Sequence, residues 1–406
     1  MSERQHLPQP QLRVNEAERV QPALPVVGDH RGRSAWVIHG RTWLLLGLLL
    51  LGTMTLFVLS SESLAGSGKV PARQPFPKPT LVEGGLFREY PLPLQDNEVM
   101  RPAIDHQGRI WFGAMGQNAL VVFDPRTQVF QYLTPPGGHH GIMGVLVAPA
   151  DTIWFAEQAA NYLGHYFPAT GRYQMYPLPW ITIPDPGHAG QNVSLPSAPN
   201  ELALDVHGDV WFTEFNADRL GQLDPSTGSI RHYPLSLNRS VQTLYPYGVT
   251  VDPLGSVWFT ESGSNQFGRL DPGTGALHVF AVPDPHALTM EIASDRQGSI
   301  WVTSFTPGLL FRFKPGARMF TTYAVAVSGN ERGTLYGLLA TTSGDVWVTI
   351  LVENMIAHLD VATGRFIYYR IPAPGGLPLG LAMDGNQNLW FTGDDKIGML
   401  HPVRPH

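Results

Sequence analysis

The chain has 406 residues and a formal net charge of −6, and only 15% of its residues are charged. Because no basic cluster occurs in the body of the chain, the composition argues against nucleic-acid binding. Cysteine is absent, which excludes disulfides, thiolate nucleophiles and cysteine-ligated metals. The 43 glycines and 36 prolines favour a fold of short strands joined by tight turns.

The N-terminal part contains one uncharged apolar run, residues 42–60. A helix of about 20 apolar residues is long enough to cross the hydrocarbon core of a bilayer. Arg31, Arg33 and Arg41 precede the run, so the positive-inside rule predicts a cytoplasmic N-terminus and a body outside the cytoplasm. We therefore expect a single-pass transmembrane helix in the cell membrane, an uncleaved signal anchor. The alternative, a cleaved signal peptide, normally has a shorter leader and a shorter apolar region.

Two polar segments flank this anchor. Residues 1–41 are rich in Pro, Gln and Arg and show no apolar period, which predicts a disordered cytoplasmic tail. Residues 61–85 are rich in Pro, Ser and Gly and are predicted to form a linker that holds the body away from the bilayer.

The body is built from repeats that each carry a tryptophan. Their spacings are 43, 57, 47, 43, 46 and 43 residues, at Trp111, Trp154, Trp211, Trp258, Trp301, Trp347 and Trp390. Periods of about 40 to 50 residues with short strands are typical of propeller blades. Helical repeats would instead show apolar residues at i, i+3 and i+4 and few glycines or prolines. The sequence predicts an all-β protein, a seven-bladed β-propeller over residues 86–401.

One repeat, residues 199–235, can be divided into four strands, which is the number in a blade. An aspartate six residues before the tryptophan recurs at Asp105, Asp205, Asp252, Asp295 and Asp384. An Asp-Pro turn recurs at Asp124, Asp224 and Asp271. In this turn, proline supplies the negative φ and a following glycine accepts a positive φ.

The two ends of the body predict how the ring closes. Residues 87–92 match the fourth strand of the other repeats, whereas the last repeat has only three clear strands. We expect the early strand to complete the seventh blade and remove an open edge. The longest interval between tryptophans contains residues 180–198, which are predicted to form a surface loop that includes His188.

The repeat resembles that of the streptogramin B lyases, the virginiamycin B lyase family. The copies that carry the resemblance most clearly are DVHGDVWFTEFNADRLGQLDPSTG at 205–228 and DPLGSVWFTESGSNQFGRLDPGTG at 252–275. The resemblance covers about residues 86–400 and implies a seven-bladed propeller. It also implies a lyase that opens a cyclic depsipeptide by elimination, with a divalent cation, usually Mg²⁺, and with catalytic histidines and glutamates at the ring mouth.

The family places its histidines eleven residues before the blade tryptophan, and we call these seven positions the ring. The ring of this chain contains no histidine. In the last blade, Leu377 occupies the position of one family glutamate. Asp394 is an approximate substitute for a second glutamate, in the turn between the second and third strands. Methionine, tyrosine, asparagine and leucine suit apolar or aromatic ligands. We therefore predict ligand contacts for the ring, which consists of Met100, Met143, Asn200, Tyr247, Met290, Tyr336 and Leu379.

Polar residues near the ring are candidates for catalysis. Glu98 precedes the ring position of the first blade, and His139 and His140 precede that of the second. A carboxylate beside a histidine can prepare it for acid–base chemistry. The alternative is that the histidines belong to a solvated loop. Glu201 and Glu291, which follow ring positions, are further polar candidates.

Glu157, Glu214 and Glu261 each follow a blade tryptophan by three residues. One interpretation is that they cap turns through hydrogen bonds to backbone N–H groups. The other is a metal site, since carboxylate oxygens suit Mg²⁺ or Ca²⁺.

Two functions remain open at this stage. The first is a membrane-anchored, monomeric module that binds a small molecule or peptide at the channel mouth. The second is a metal-assisted lyase that opens a cyclic depsipeptide or lactone by elimination.

Overall fold

The computed structural model of the chain describes residues 80–82, 86–137, 141–184, 190–235, 244–328, 331–372 and 376–402. The apolar run 42–60, the tail 1–41, most of the linker, His139, His140 and His188 lie outside the described residues. Within the described residues, no helix has the length and apolar character needed to cross a membrane.

The body is a ring of seven sheets, as the tryptophan repeats predict, and we number them as blades in chain order. Each blade has four antiparallel strands, and blade 6 carries an additional one. The strands of blades 1 to 3 are β3 (Ala103–Ile104), β4 (Ile110–Ala114), β5 (Ala119–Asp124) and β6 (Val129–Leu133); β7 (Ile142–Ala148), β8 (Thr152–Glu157), β9 (Tyr162–Phe167) and β10 (Arg172–Pro177); and β13 (Pro199–Leu204), β14 (Val210–Glu214), β15 (Arg219–Asp224) and β16 (Ser229–Pro234).

The later blades repeat the same order, from an inner strand at the channel to an outer strand. Their strands are β17 (Pro246–Val251), β18 (Val257–Glu261), β19 (Gln266–Leu270) and β20 (Leu277–Ala281) in blade 4; β21 (Thr289–Ser294), β22 (Ile300–Ser304), β23 (Leu309–Lys314) and β24 (Met319–Ala324) in blade 5; β27 (Leu335–Ala340), β28 (Val346–Ile350), β29 (Met355–Asp360) and β30 (Arg365–Arg370) in blade 6; and β31 (Leu381–Met383), β32 (Leu389–Gly393) and β33 (Lys396–His401) in blade 7.

The N-terminal strand closes the ring, as predicted. Strand β2 (Leu86–Pro91) pairs antiparallel with β33 and forms the outer edge of blade 7. The sequence pattern did not predict β1 (Thr80–Val82), which lies in the linker segment and pairs in parallel with β30 of blade 6.

Among the described residues of the body, two small hairpins and one short helix interrupt the repeat. A hairpin of β11 (Ile181–Pro184) and β12 (Asn192–Leu195) lies in the long interval where a surface loop was predicted. A second hairpin, β25 (Ala326–Ser328) with β26 (Glu331–Arg332), connects blades 5 and 6. A 3-10 turn, Pro149–Asp151, joins β7 to β8.

The recurring aspartate explains why the tryptophan motif folds the same way in most blades. In blade 3, one oxygen of Asp205 accepts hydrogen bonds from the backbone N–H groups of His207 and Asp209, and its other oxygen accepts the indole N–H of Trp211 at 2.9 Å. The same indole bond occurs in blades 1, 4, 5 and 7. One carboxylate thus fixes the turn between the first two strands and orients a fully buried ring.

A close approach of strand and ring explains the glycine of the motif. A Cβ on Gly221 would collide with the ring of Phe212 on the neighbouring strand, so only glycine lets the phenylalanine lie flat across β15. Phe212 is fully buried and packs in an inter-blade cluster with Trp154 and Leu223. Such clusters between adjacent blades supply the apolar burial that an isolated four-stranded sheet lacks.

Threonine hydroxyls connect neighbouring blades close to the channel. Thr349 Oγ1 accepts the N–H of Gly337 in its own blade and donates to the carbonyl oxygen of Leu379 in the next blade, at 2.6 and 3.0 Å. The equivalent hydroxyls of Thr213, Thr260 and Thr303 make the same two kinds of bond. These threonines satisfy buried backbone groups where the inner strands change register.

Candidate functional site at the channel mouth

The connections between blades and the turns between second and third strands meet on one face, which we call the mouth face. In blade 3, the backbone N–H groups of Phe215 and Asn216 donate to the carbonyl oxygens of Ala198 and Ser197, at 2.9 and 3.0 Å. The turn after β14 is therefore bonded to the segment that leads into β13. The turns after inner strands, which contain the recurring aspartates, lie on the opposite face.

The seven predicted ring residues converge on the central channel. Six of them pack in one buried apolar cluster: Met100, Met143, Tyr247, Met290, Tyr336 and Leu379. The seventh, Asn200, is fully buried, and its Nδ2 donates to the backbone oxygen of Tyr247 at 3.1 Å. The ring therefore closes the channel with side chains instead of leaving it open at this level.

A second layer of apolar side chains covers this ring toward the mouth. Leu351 is buried in the cluster, and Met115, Phe215 and Phe305 are partly buried against it. Each of these residues follows its blade tryptophan by four positions. Phe215 also stacks on Tyr245, with ring centroids 4.8 Å apart. The mouth thus has an apolar and aromatic floor that remains partly accessible.

A charged cluster lies one residue further along the inner strands. Arg101 Nε is 2.9 Å from Oε1 of Glu291 and 2.5 Å from Oε2 of Glu201, although these residues come from three different blades. The Arg101 guanidinium also lies 5.0 Å from the ring centroid of Tyr247, whose hydroxyl bonds to that of Tyr336. These groups cross the channel and join blades 1, 3, 4, 5 and 6.

Burial sets the protonation of this cluster. Desolvation raises the pKa of Glu201 to about 7, although the adjacent Arg101 lowers it and Glu291 raises it further. Desolvation lowers the pKa of Arg101, but the two glutamates outweigh it and raise that pKa well above its ordinary value. One guanidinium between two buried carboxylates leaves an excess negative charge, which favours a proton on the cluster near neutral pH.

Arg101 was not among the predicted site residues, although the repeats contain a signal for it. The position after the ring residue is glycine in four blades, at Gly144, Gly248, Gly337 and Gly380. A Cβ at Gly337 would collide with the carbonyl oxygen of Leu379. A charged residue in place of glycine at this crowded position therefore indicates that the channel of this chain differs from one lined by glycines. Arg101, Glu201 and Glu291 are the three charged replacements.

The predicted catalytic group is only partly described. Glu98 is half-buried, has a left-handed backbone with φ of 49°, and leads into the ring at Met100. His139 and His140 lie outside the described residues, so an acid–histidine group with Glu98 stays a prediction.

The three predicted metal ligands stand in three separate blades and have different partners. Glu214 bonds to Arg219 Nε and Nη2, at 2.8 and 2.7 Å, and to His232 Nδ1 at 2.6 Å. Both oxygens of this carboxylate accept hydrogen bonds from side chains, so the turn-capping interpretation, which requires backbone donors, does not hold for Glu214. The fully buried carboxylate of Glu157 has no hydrogen-bond partner, and that of Glu261 accepts one from Ser264.

These surroundings raise the pKa of two of the carboxyls and lower that of the third. Burial raises the pKa of Glu157 to about 7. Burial also raises the pKa of Glu261 to about 7, although the hydrogen bond from Ser264 lowers it. For Glu214, burial raises the pKa, but the bonds from His232 and Arg219 outweigh it and lower the pKa.

The divalent cation that the resemblance implies stays an expectation, because His139 and His140 lie outside the residues that the structure describes. Within the described ranges, no group of three or more histidine, aspartate or glutamate side chains is arranged to hold a metal ion. The oxygens of Glu214 are already bonded to an arginine and a histidine. We therefore assign no catalytic step to a metal ion.

Solved structures share the fold along nearly their whole length. Streptogramin B lyase is 24% identical, with a TM-score of 0.67, and the match covers 78% of this chain and 97% of that one. A catalytically inactive virginiamycin B lyase from Staphylococcus aureus with quinupristin is also 24% identical, with a TM-score of 0.68 and coverage of 78% and 99%. No protein of the curated set matches significantly in sequence.

A less similar structure comes from a different kind of protein. The extracellular domain of a one-component system protein from B. thetaiotaomicron is 15% identical, with a TM-score of 0.59 and coverage of 78% of this chain and 40% of that one. At these identities the structural matches show the fold. In sequence, the model of the virginiamycin B lyase family matches residues 79–306 and 186–398, which together extend into all seven blades. The chain therefore belongs to the virginiamycin B lyase family.

Proposed function

We propose that the propeller binds a small molecule or peptide at the mouth of its channel, in a protein that one helix anchors in a membrane with the propeller outside the cytoplasm. The observation that carries the proposal is the floor of the mouth, where the aromatic and apolar layer of Met115, Phe215 and Phe305 covers a ring without histidine. Partly accessible aromatic and methionine side chains bind apolar ligands with little cost of desolvation.

Exposed apolar side chains around the mouth support binding at this face. Leu94, Trp180, Val352 and Leu377 are exposed, and all four lie in connections or turns of the mouth face. Scattered apolar residues are normal on a surface, but several on the same face as a partly accessible aromatic floor favour a ligand or partner there. The extracellular domain of the one-component system protein is consistent with such a role, because it places the same fold outside a cell.

Thermal unfolding of the full-length chain with quinupristin tests this proposal. A ligand that binds the folded state raises the melting temperature as its concentration rises. We expect a saturable increase that Phe215→Ala reduces at least tenfold in apparent affinity. Leu254→Ala is the control, because Leu254 is exposed in a turn of the opposite face. No stabilisation by quinupristin, or equal binding by the two variants, would contradict binding of a cyclic depsipeptide at the mouth.

The second candidate function is a lyase that opens a cyclic depsipeptide or lactone by elimination. Membership of the family favours it, whereas the absence of histidine from the ring disfavours it. Mass spectrometry of quinupristin after incubation with the chain and Mg²⁺ distinguishes the two functions. Ring opening that Glu98→Ala and His140→Ala abolish would establish the lyase, and intact quinupristin would reject it.

A further inference from the structure

Basic and apolar side chains project together from blades 4 and 5 on the face opposite the mouth. Leu254 is 89% exposed in the turn after β17, and Met319 is 49% exposed at the start of β24. Arg296 is exposed in the turn after β21, and Lys314 and Arg318 are exposed on either side of the turn between β23 and β24. We call these five side chains the opposite-face patch.

The acidic side chains of this sector are turned inward. Asp295 of blade 5 is buried and accepts the backbone N–H groups of Gln297 and Ser299 and the indole N–H of Trp301. The other carboxylates that the structure describes on this face of blades 4 to 6 are buried or half-buried and accept hydrogen bonds from their own turns or from a histidine: Asp252, Asp271, Asp345 and Asp360. The charge that projects from the sector is therefore positive, although the chain as a whole has a net charge of −6.

The direction of β1 brings the start of the body to the same side. Strand β30 of blade 6 follows a turn on the opposite face and runs toward the mouth. Strand β1 pairs with it in parallel, with Thr80 opposite Ile367 and Val82 opposite Tyr369. The first residue of β1 therefore lies at the end of the strand nearer the opposite face. Blade 6 packs directly against blade 5, which carries most of the patch.

The sequence places a short connection between this strand and the apolar run 42–60. Residues 61–79 can extend over at most about 65 Å, so an anchor formed by the run keeps the propeller close to the bilayer. Tethering of this kind raises the effective concentration of the surface, and weak contacts then suffice for docking.

The chemistry of the patch suits a lipid surface. Basic side chains attract anionic phospholipid headgroups, and apolar side chains beside them enter the boundary between headgroups and acyl chains. Leu254, at 89% exposure, has almost no contact with the rest of the protein and can enter lipid without a rearrangement of its blade.

We propose that the opposite-face patch docks on the anionic phospholipid surface of the bilayer that anchors the chain, so that the channel mouth faces away from the membrane. The proposal rests on the membrane anchor proposed above and is independent of any ligand or reaction at the mouth.

Site-specific quenching in lipid nanodiscs tests the proposal with the full-length chain. Because the chain has no cysteine, a fluorophore attaches only at Leu254→Cys or, in the control, at Val352→Cys, which is 67% exposed in a mouth-face turn of blade 6. The nanodiscs contain phosphatidylcholine, phosphatidylglycerol and a lipid with a nitroxide quencher on its headgroup. We expect at least threefold stronger quenching at position 254 than at position 352. Equal quenching at the two positions, or stronger quenching at position 352, would overturn the proposal.

Size-exclusion chromatography of the same samples at high salt tests the anchor separately. A chain that elutes apart from the nanodiscs would reject the anchor and the docking together. A chain that co-elutes with them, but whose label at position 254 is not quenched at low salt, would reject the docking alone.

Lys314→Gln tests the basic side chains in the presence of the Leu254→Cys label. We expect docking to weaken about fivefold, equivalent to the roughly 1 kcal/mol that one basic residue contributes near an anionic surface. Arg370→Gln is the matched control, because Arg370 is exposed at the mouth end of β30, and it should leave the quenching unchanged. Equal effects of the two variants, or undiminished quenching in nanodiscs without phosphatidylglycerol, would contradict electrostatic docking. Soluble polyphosphate that binds the chain and loses affinity in Lys314→Gln, while the label at position 254 stays unquenched by lipid, would assign the patch to a soluble polyanion and overturn the proposal.

Discussion

Three glutamates at equivalent positions illustrate how far the surroundings of a residue decide its chemistry. Glu214 has an arginine and a histidine as partners, whereas Glu157 is fully buried and has none. The sequence motif around the two residues is nearly the same. The difference comes from cross-strand neighbours, because Arg219 faces Glu214 and Tyr162 faces Glu157 in the register of the sheet.

Glu157→Gln should change the pH dependence of stability. Burial raises the pKa of Glu157 from 4.5 to about 7, so between these values the folded state binds a proton that the unfolded state releases. The free energy of unfolding therefore falls as pH rises from about 4.5 to about 7, by roughly 3 kcal/mol for this group. Glutamine removes this loss, and we expect the variant to match the wild type at pH 4.5 and to be more stable at pH 8.

Urea unfolding at the two pH values measures this difference, with exposed Glu331→Gln as the control that should follow the wild type at both. Equal stability of Glu157→Gln and wild type at pH 8 would mean that Glu157 is ionised in the folded state at little cost.

At the scale of strands and blades, the threonine hydroxyls hold adjacent inner strands together. Thr349 is fully buried and bridges Gly337 to Leu379 across the boundary of blades 6 and 7. Thr349→Val keeps the shape but removes the hydroxyl, leaving a buried N–H and a buried C=O without a partner. We expect a loss of about 2 kcal/mol in the free energy of unfolding, measured by urea unfolding. Thr349→Ser retains the hydroxyl and should lose less than half as much; a loss in Thr349→Ser as large as that in Thr349→Val would contradict a dominant contribution of the hydroxyl.

Strands that carry the repeat were predictable because the period holds in every blade and the turn chemistry agrees with it in blades 1, 3 and 4. In these blades the tryptophan, the aspartate six residues before it and the Asp-Pro turn mark the boundaries of the four strands. Strand β1 and the hairpin β11–β12 lack these signals and depend on tertiary contacts, so the pattern did not reveal them. The ring residues followed from the resemblance, whereas Arg101 did not, because its significance appears only when it replaces a glycine in the equivalent positions of other blades.

At the scale of the whole molecule, one strand from the start of the body determines whether the ring is closed. Strand β2 supplies the fourth strand of blade 7, and its Tyr90 also contacts the next blade. The ring of Tyr90 lies 5.9 Å from Trp390 in blade 7 and 4.8 Å from Phe123 in blade 1, by ring centroids. The residue thus joins the last blade to the first, in a cluster that also contains Leu92 and Ile397.

Tyr90→Ala should therefore weaken closure of the ring as well as packing within blade 7. Truncation of a fully buried aromatic side chain to alanine costs about 3 to 5 kcal/mol of stability. Because Tyr90 is only partly buried, we expect the free energy of unfolding, measured with urea, to fall by about 2 kcal/mol. Because β2 is the outer strand, proteolysis of residues 86–91 should accelerate in parallel. Arg88→Ala, an exposed change in the same strand, should alter neither measurement. Unchanged stability and proteolysis in Tyr90→Ala would show that backbone pairing with β33 closes the ring without the aromatic contact.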